Sequence, residues 1–460
     1  MLSPALARNP LLATSIPHRG YSSGFWVAAC YMMLFIIRPW ETLIPELGLI
    51  KFERIFVAVM LLIVLRDGIS LRGQYKSVIA FFGCVVFAAL LAVNARMAWE
   101  EVYRYLPQVV FFMVMISVIR QQHELNLMIV IFLAAMTLYT GKAHWEYYVH
   151  NAHHVAQGVN RLYGIEKSEG DPNALAMHVV CSLPFLLYVF RHRKMIAAHS
   201  PSWLRPILLP GVVAYAALGI STVFHTQSRA GMLGLAAFFF LASFAFVRGG
   251  KILRAIMLAL VCIGATWLLL PENVRGRLRT IWDPSSGTID AQVSGQGRLY
   301  GLYAGLTMFR RHPIAGVGPG NFLDYRVRHV DGVPLIAHNL PGQVLGEFGL
   351  IGGIAFALMA YLAFKNTRRT RSNARRFKGN PQMAQHEQLA VACRNVILLL
   401  LFFGLALHNN LKYDWLWVIA FAGLNADFAK ATASRLARFG VRRTSQTGLG
   451  SEDLFAMPPT

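Results

Sequence analysis

Arg161, Arg229, Arg298 and His338 are the residues of this chain whose types and setting could do chemistry. A guanidinium presents a planar fork of N–H donors that grips phosphate oxygens in pairs, and three forks on one site suit a pyrophosphate. An imidazole beside them, neutral at working pH, can take a proton from a hydroxyl. Each residue also has a plainer reading. Arg229 lies in His225-Thr226-Gln227-Ser228-Arg229-Ala230-Gly231 between two apolar runs, where an arginine is costly unless it snorkels or is paired. An interface anchor is the alternative there to an anion clamp. Arg161, in Asn160-Arg161-Leu162-Tyr163-Gly164, is a weak signal alone and gains weight from sharing a side with Arg229. Arg298 is expected to open a helix, where its charge opposes the dipole and an anionic partner would relieve it. A solvated loop arginine is the alternative. His338-Asn339 stands just before an apolar run starting near Leu340, and a lone histidine is more often structural.

Other candidates surround these four. Asp171-Pro172-Asn173 reads as the start of a helix, with Asp171 or Asn173 as its cap and proline in the first turn. Capping is a sufficient role for Asp171. Glu347 falls about two turns into the helix after His338, and a carboxylate inside a span is a functional candidate by default. Pairing with an arginine is its structural alternative. His408 and Asp414 flank the last short outward loop and could reach the same cavity. Gly316-Val317-Gly318-Pro319-Gly320-Asn321 reads as a tight turn at least as well as a phosphate cradle, because no helix clearly follows it. There is no DxD motif, no His/Asp cluster at ligand spacing and no Walker loop. Charge on a departing pyrophosphate would therefore fall to the guanidinium groups. Cys30, Cys84, Cys181, Cys262 and Cys393 lie far apart in or beside apolar segments, without a CxxC pair, and read as packing residues.

The elements that must position these residues are membrane helices. Of 460 residues, 55% are hydrophobic and 14% charged, against about 25% charged in soluble domains. Apolar runs near 24–37, 52–65, 77–93, 105–119, 124–140, 173–190, 206–224, 230–247, 254–270, 342–364, 394–408 and 415–429 make about twelve expected spans. Residues 1–23 read as a cytoplasmic tail, not a removable signal peptide. With the N-terminus inside, the net charge of +22 concentrates in alternate loops, notably around 191–205, 248–254 and 365–378 and in the C-terminal tail. That is the positive-inside pattern, and it explains the charge without a nucleic-acid partner. The domain is expected over 24–430, with outward loops about 141–172 and 271–341 and a basic cytoplasmic loop 365–393. A basic, partly disordered tail is expected over 431–460. Within the longer outward loop, Leu299, Leu302, Tyr303, Leu306 and Phe309 recur at three- and four-residue steps. This predicts an amphipathic helix starting near Ser294 or Gly297 and lying on the outer surface of the bundle.

Taken in order, these motifs resemble the O-antigen ligase and polymerase superfamily of bacterial envelope enzymes. The matching pieces are Asn160 to Gly164, Asp171 to Ala176, Gln227 to Gly231, Arg298 with its helix, His312 to Phe322, and His338-Asn339 followed by Glu347-Phe348-Gly349-Leu350-Ile351-Gly352. The resemblance spans roughly residues 150–360 by motif and the whole chain by span count. It implies an all-α polytopic glycan transferase of the bacterial inner membrane with its site facing the periplasm. The donor would be a glycan on undecaprenyl pyrophosphate, and the acceptor a hydroxyl of lipid A–core or a related glycan. Arg229 and Arg298 would hold the pyrophosphate. Arg161, Asn173, Asn339 and Glu347 would support substrate binding, and His338 would orient or deprotonate the acceptor. The transfer would invert the anomeric carbon and need no metal or other cofactor.

Three rival readings stay open. A chain polymerase joining repeat units shares these motifs. A solute transporter suits about twelve spans, but the two halves here do not correspond. A lipid-phosphate-sugar transferase of the type with an acidic pair in its first outward loop finds only the separated Glu41 and Glu46.

Overall fold

The computed structural model describes residues 20–42, 44–156, 159–164, 170–246 and 289–446, with residues 264, 275, 276 and 279 besides. The expected span at 254–270 lies, apart from residue 264, outside them. The first helices are α1 (Ser23–Ile37), the short α2 (Pro39–Thr42) and α3 (Pro45–Leu49), α4 (Phe52–Asp67), α5 (Tyr75–Leu90), α6 (Ala95–Val118) and α7 (Gln122–Val149). A two-stranded hairpin, β1 (His154–Ala156) and β2 (Val159–Arg161), separates α7 from α8 (Pro172–Ala198), α9 (Leu204–His225) and α10 (Arg229–Phe246). The remainder forms α11 (Ile289–Arg311), α12 (Phe322–His329), α13 (Leu340–Arg375), α14 (Pro381–Phe403) and α15 (Tyr413–Gln446).

Among the described residues, seven helical stretches are long and apolar enough to cross a bilayer. They are Ser23–Glu41, α6, α7, α8, α9, α13 and α14, while α5 and most of α10 are apolar but shorter. The molecule is a helical, multi-pass membrane protein, though this measure does not reach about twelve spans. Charges at both ends of α4 (Glu53, Arg54, Arg66 and Asp67) and in α15 (Asp414, Asp427 and Lys430) dilute two of the expected runs.

Two boundaries differ from expectation for one reason. The expected loop 365–393 is mostly helix, because α13 continues to Arg375 and α14 starts at Pro381 under an Asn380 cap. Likewise α15 runs to Gln446, into the expected tail. Arg, Lys, Ala and Gln are good helix formers, so the helices outlast their apolar pattern. At 36 residues, α13 is about 54 Å of helix, well beyond the hydrocarbon core.

α13 is the hub, packing against α5, α11, α14 and α15, and α14 in turn meets α8 and α10. Edge-to-face aromatic pairs join α15 to α13 and to α7. Phe356 meets Trp415 at 5.2 Å between centroids, and Phe132 meets Trp417 at 5.4 Å.

One break in α13 shapes the turn that packs on it. Gly349 sits at φ +61, out of helical geometry, and a Cβ there would meet the Ile314 carbonyl oxygen at 2.5 Å. The turn after α11 supplies the lost hydrogen bonds. Val317 N–H donates to Gly346 O (2.9 Å), and Gly318 N–H donates to Glu347 O (3.0 Å). In return Leu350 N–H reaches Pro313 O at 2.8 Å, and Ile351 N–H reaches Ile314 O at 3.3 Å. Unpaired backbone groups at membrane depth are costly, and this exchange satisfies them within protein. The glycine-rich turn is thus a structural plug tied to α13 by the N–H groups of Val317 and Gly318. A helix does follow it, since α12 begins at Phe322.

α11 packs most closely through its small residues. Leu299, Tyr300 and Tyr303 are more than half exposed, while Gly301, Ala304, Gly305 and Met308 are buried. A Cβ on Gly301 would collide with the Ala337 carbonyl, and one on Gly305 with the Gly342 backbone. Gly301-x-x-x-Gly305 is the small-residue spacing that lets helices touch backbone to backbone beside a membrane. Of the expected apolar stripe, Leu299 and Tyr303 are exposed, while Leu302, Leu306 and Phe309 are half-buried. The helix also begins at Ile289, so Arg298 lies in its third turn and the expected conflict with the N-terminal dipole does not arise there.

Candidate functional site: a cation cluster at one mouth of the bundle

Arg161 ends β2 and is nearly buried, at 6% exposure. Leu162 N–H donates to His225 O at 2.9 Å, which ties the hairpin to the end of α9. The Arg161 guanidinium donates from Nε to Thr226 O (2.8 Å) and from Nη2 to Asn173 Oδ1 (3.1 Å). Asn173 Oδ1 also accepts from Ser228 Oγ at 2.7 Å, while its Nδ2 donates to Asp171 Oδ1 at 3.0 Å. Both ends of the Asn173 amide are therefore engaged, making it a bracket between α8, Arg161 and the α9–α10 turn. Asp171 is the cap of α8, accepting from Asn173 N–H at 3.0 Å with Pro172 in the first turn, as the sequence predicts.

Arg229 is the first residue of α10. It, rather than Arg298, is the cation placed at the positive end of a helix dipole, where a bound anion is favoured. Gln227, two residues earlier, has φ +49, a left-handed backbone that side chains rarely adopt. Ser228 Oγ accepts from Gly231 N–H at 3.1 Å, and a Cβ on Gly231 would stand 2.6 Å from that of Ala176 on α8. The Gln227-Ser228-Arg229-Ala230-Gly231 motif is thus a strained turn, a cap, a cation and a close-packing residue in succession.

Arg298 and His338 are joined through Asn339. Asn339 Oδ1 accepts from Gly342 N–H at 2.7 Å as the cap of α13. Its Nδ2 donates to the backbone carbonyls of Arg298 (2.9 Å) and Ala337 (2.8 Å). Asn339 is thereby a second bracket. His338 has φ +50, so strained backbone flanks the cluster on two separate segments. The segment leading to His338 is held by Arg326, which is 1% exposed. Arg326 donates through Nε and Nη2 to the Asp331 carboxylate, both at 2.8–2.9 Å at the closest, and through Nη1 to Leu335 O at 3.1 Å. That arginine drew no notice in the sequence, because its partner stands five residues away, off any helical face pairing.

Electrostatics ties the pieces into one site. Burial pulls the pKa of Arg161 and of Arg298 down from the ordinary guanidinium value; the Asp171 carboxylate pushes both up, and Arg229 pushes both down. Burial also lowers the His338 pKa; Asp171 opposes this, and Arg298 and Arg326 add to it. Arg161 and Arg298 thus share one nearby carboxylate and both feel Arg229, leaving a surplus of positive charge beside the His338 imidazole. Asp171 has a place in this field beyond its capping role.

Two expected members lie elsewhere. Glu347 is buried under the glycine-rich turn, where backbone N–H groups of Gly320 and Phe322 point at its carboxylate. It braces the plug in α13 and does not join the arginines. Asp414 lies 2.8 Å from His178 Nδ1 between α15 and α8, with the His178 ring stacked on Tyr413. His408, by contrast, does reach the cluster, its ring 5.9 Å from that of His338.

The fold and site define a polytopic helical membrane protein that gathers arginines and a histidine at one mouth. Residues 214–357 match the Wzy_C family model, O-antigen ligase, so the chain carries an O-antigen ligase family domain there. The match holds Arg229, Arg298, His338, Asn339 and Glu347, while Arg161 and Asn173 precede it. No curated protein matches the chain.

Proposed function

We propose that this protein is a glycan ligase of the bacterial inner membrane, acting at its periplasmic face on a glycan carried by undecaprenyl pyrophosphate. The observation that carries this reading is the convergence of Arg161, Arg229 and Arg298 with His338 inside and beside an O-antigen ligase family domain. The site lies at the start of α13, and the basic residues Arg368, Arg369, Arg375 and Arg376 crowd toward its other end. Cations at that far end mark the cytoplasmic side, which supports a periplasmic mouth.

In this reading Arg229 and Arg298 grip the pyrophosphate, and Arg161 fixes the turn that carries Arg229. The acceptor hydroxyl, on lipid A–core or a related glycan, attacks the anomeric carbon from the face opposite the pyrophosphate. The new C–O bond forms as the bond to the pyrophosphate oxygen breaks, so the configuration inverts. The hydroxyl proton passes to His338, and the bonding electrons leave with the pyrophosphate, whose charge the guanidiniums stabilise. Neutral His338 is suited to this task, since burial and neighbouring cations disfavour its charged form.

Analysis of a strain lacking the gene tests the assignment. A ligase predicts loss of long-chain lipopolysaccharide bands with full-length polymer left on the lipid carrier. Lipopolysaccharide capped by single repeats would indicate a polymerase, and an unchanged pattern would remove both.

A further inference from the structure

We propose that His225, the last residue of α9, is a positioning residue for the turn that carries Arg229, and so sets how tightly the pyrophosphate-linked donor is held. This rests on the reading of Arg229 as a group that grips the pyrophosphate. Both ring nitrogens of His225 are bonded. Nδ1 lies 2.8 Å from Ser221 O, and a backbone carbonyl can only accept, so Nδ1 carries the proton and donates. Nε2 of the neutral ring is then an acceptor, and the Tyr148 hydroxyl on α7 donates to it. The same logic continues the chain. His144 Nδ1 donates to Thr140 O at 2.9 Å, which leaves its Nε2 to accept from Ser221 Oγ at 3.0 Å. Two histidines thus join the end of α9 to the last turns of α7.

Rings add to this anchorage. His144, Tyr147 and Tyr148 meet the His225 ring edge to face, at 5.4, 5.9 and 5.7 Å between centroids. From this anchored residue the backbone runs directly into the site. His225 O accepts from Leu162 N–H at 2.9 Å, and the next carbonyl, Thr226 O, accepts from Arg161 Nε at 2.8 Å. Gln227 then takes φ +49 before Ser228 and Arg229. Such strain persists only where the surroundings over-determine it. Ser228 Oγ, bonded to Asn173 and Gly231, holds the far side of the strained residue, and the His225 anchorage holds the near side. Loosening the near side lets Gln227 relax, and carries Arg229 and the carbonyl that orients Arg161 out of register.

Two variants of the full-length protein in nanodiscs test this. Tyr148→Phe keeps the ring and removes one hydroxyl from a residue that is 60% exposed, so the fold tolerates it. His225→Phe keeps a ring and loses both nitrogens. Hydrogen exchange read by mass spectrometry needs no glycan. The amides of Leu162, Gln227 and Gly231 should exchange about tenfold faster in His225→Phe, with those of residues 340–348 unchanged. In transfer assays the donor KM should rise about tenfold while the acceptor KM holds within about twofold. A merely structural loss lowers the active fraction, and hence kcat, and leaves both KM values alone. His225→Gln, whose amide oxygen can accept from Tyr148, should recover part of the donor affinity. Wild-type exchange at the turn, or a wild-type donor KM, in both phenylalanine variants would overturn the proposal. Faster exchange at the turn, in a protein whose wild type transfers no glycan, would leave the anchorage standing and sink the ligase reading.

Discussion

Asn339 on α13 donates its side-chain N–H to the backbone carbonyl of Arg298 on α11, 2.9 Å away. One amide therefore caps the helix that follows His338 and fixes the helix that carries Arg298. Asn339→Ala should cost about 1 kcal/mol of stability as a lost cap. The loss of transfer should exceed that, because Arg298 and His338 would no longer be held in register. Thermal unfolding of the purified protein beside an initial-rate assay separates the two effects.

Close helix contact makes a sharper prediction at Gly305. Any side chain there meets the Gly342 backbone, so Gly305→Val should separate α11 from α13. Overpacking of this kind costs about 1–3 kcal/mol. Lowered melting temperature together with loss of transfer is expected. Leu299→Ser, on the exposed face of the same helix, should leave the melting temperature nearly unchanged.

Arg161 offers a test of positioning against mere charge. Its fork spans Thr226 O and Asn173 Oδ1, and a lysine can satisfy only one at a time. Losing one charge-assisted hydrogen bond corresponds to about a tenfold drop in transfer for Arg161→Lys. Wild-type rates in that variant would show that the guanidinium geometry at this position is immaterial.

The pH dependence has a definite sign. The folded-state pKa of His338 lies below the ordinary 6.5, so its neutral form persists as pH falls through that value. Transfer that needs neutral His338 should half-decay below pH 6.5, not above it. The same depression means that the unfolded chain binds the proton more readily. Its contribution to stability therefore rises with pH across that window. A pH–rate profile with an acidic limb above 6.5 that disappears in His338→Gln would contradict this account.

Much of the site was legible from residue types. The Asp171-Pro172 helix start and many of the apolar runs follow from local chemistry, whereas the grouping of three arginines with His338 is read from their expected shared side and from the resemblance. What sequence reading misplaced has a common cause, namely contacts between segments distant in the chain. The packed face of α11 is set by Gly342 on α13, and beside lipid the small residues, not the apolar ones, mark a helix interface. Glu347 looked like a buried functional carboxylate, but the break at Gly349 and the plug above it give it backbone partners. Asn173 and Asn339 also bracket distant segments, a role the sequence does not show because their partners lie on elements that only the fold brings near.

The most direct measurement is glycan transfer by the purified protein reconstituted with an undecaprenyl-pyrophosphate-linked glycan and lipid A–core acceptor. Wild type should release one undecaprenyl pyrophosphate per glycan joined. Arg229→Ala, Arg298→Ala and His338→Ala should each fall by about a hundredfold or more while remaining folded and inserted. Undiminished transfer in all three variants would contradict the claim that these residues form the reacting site.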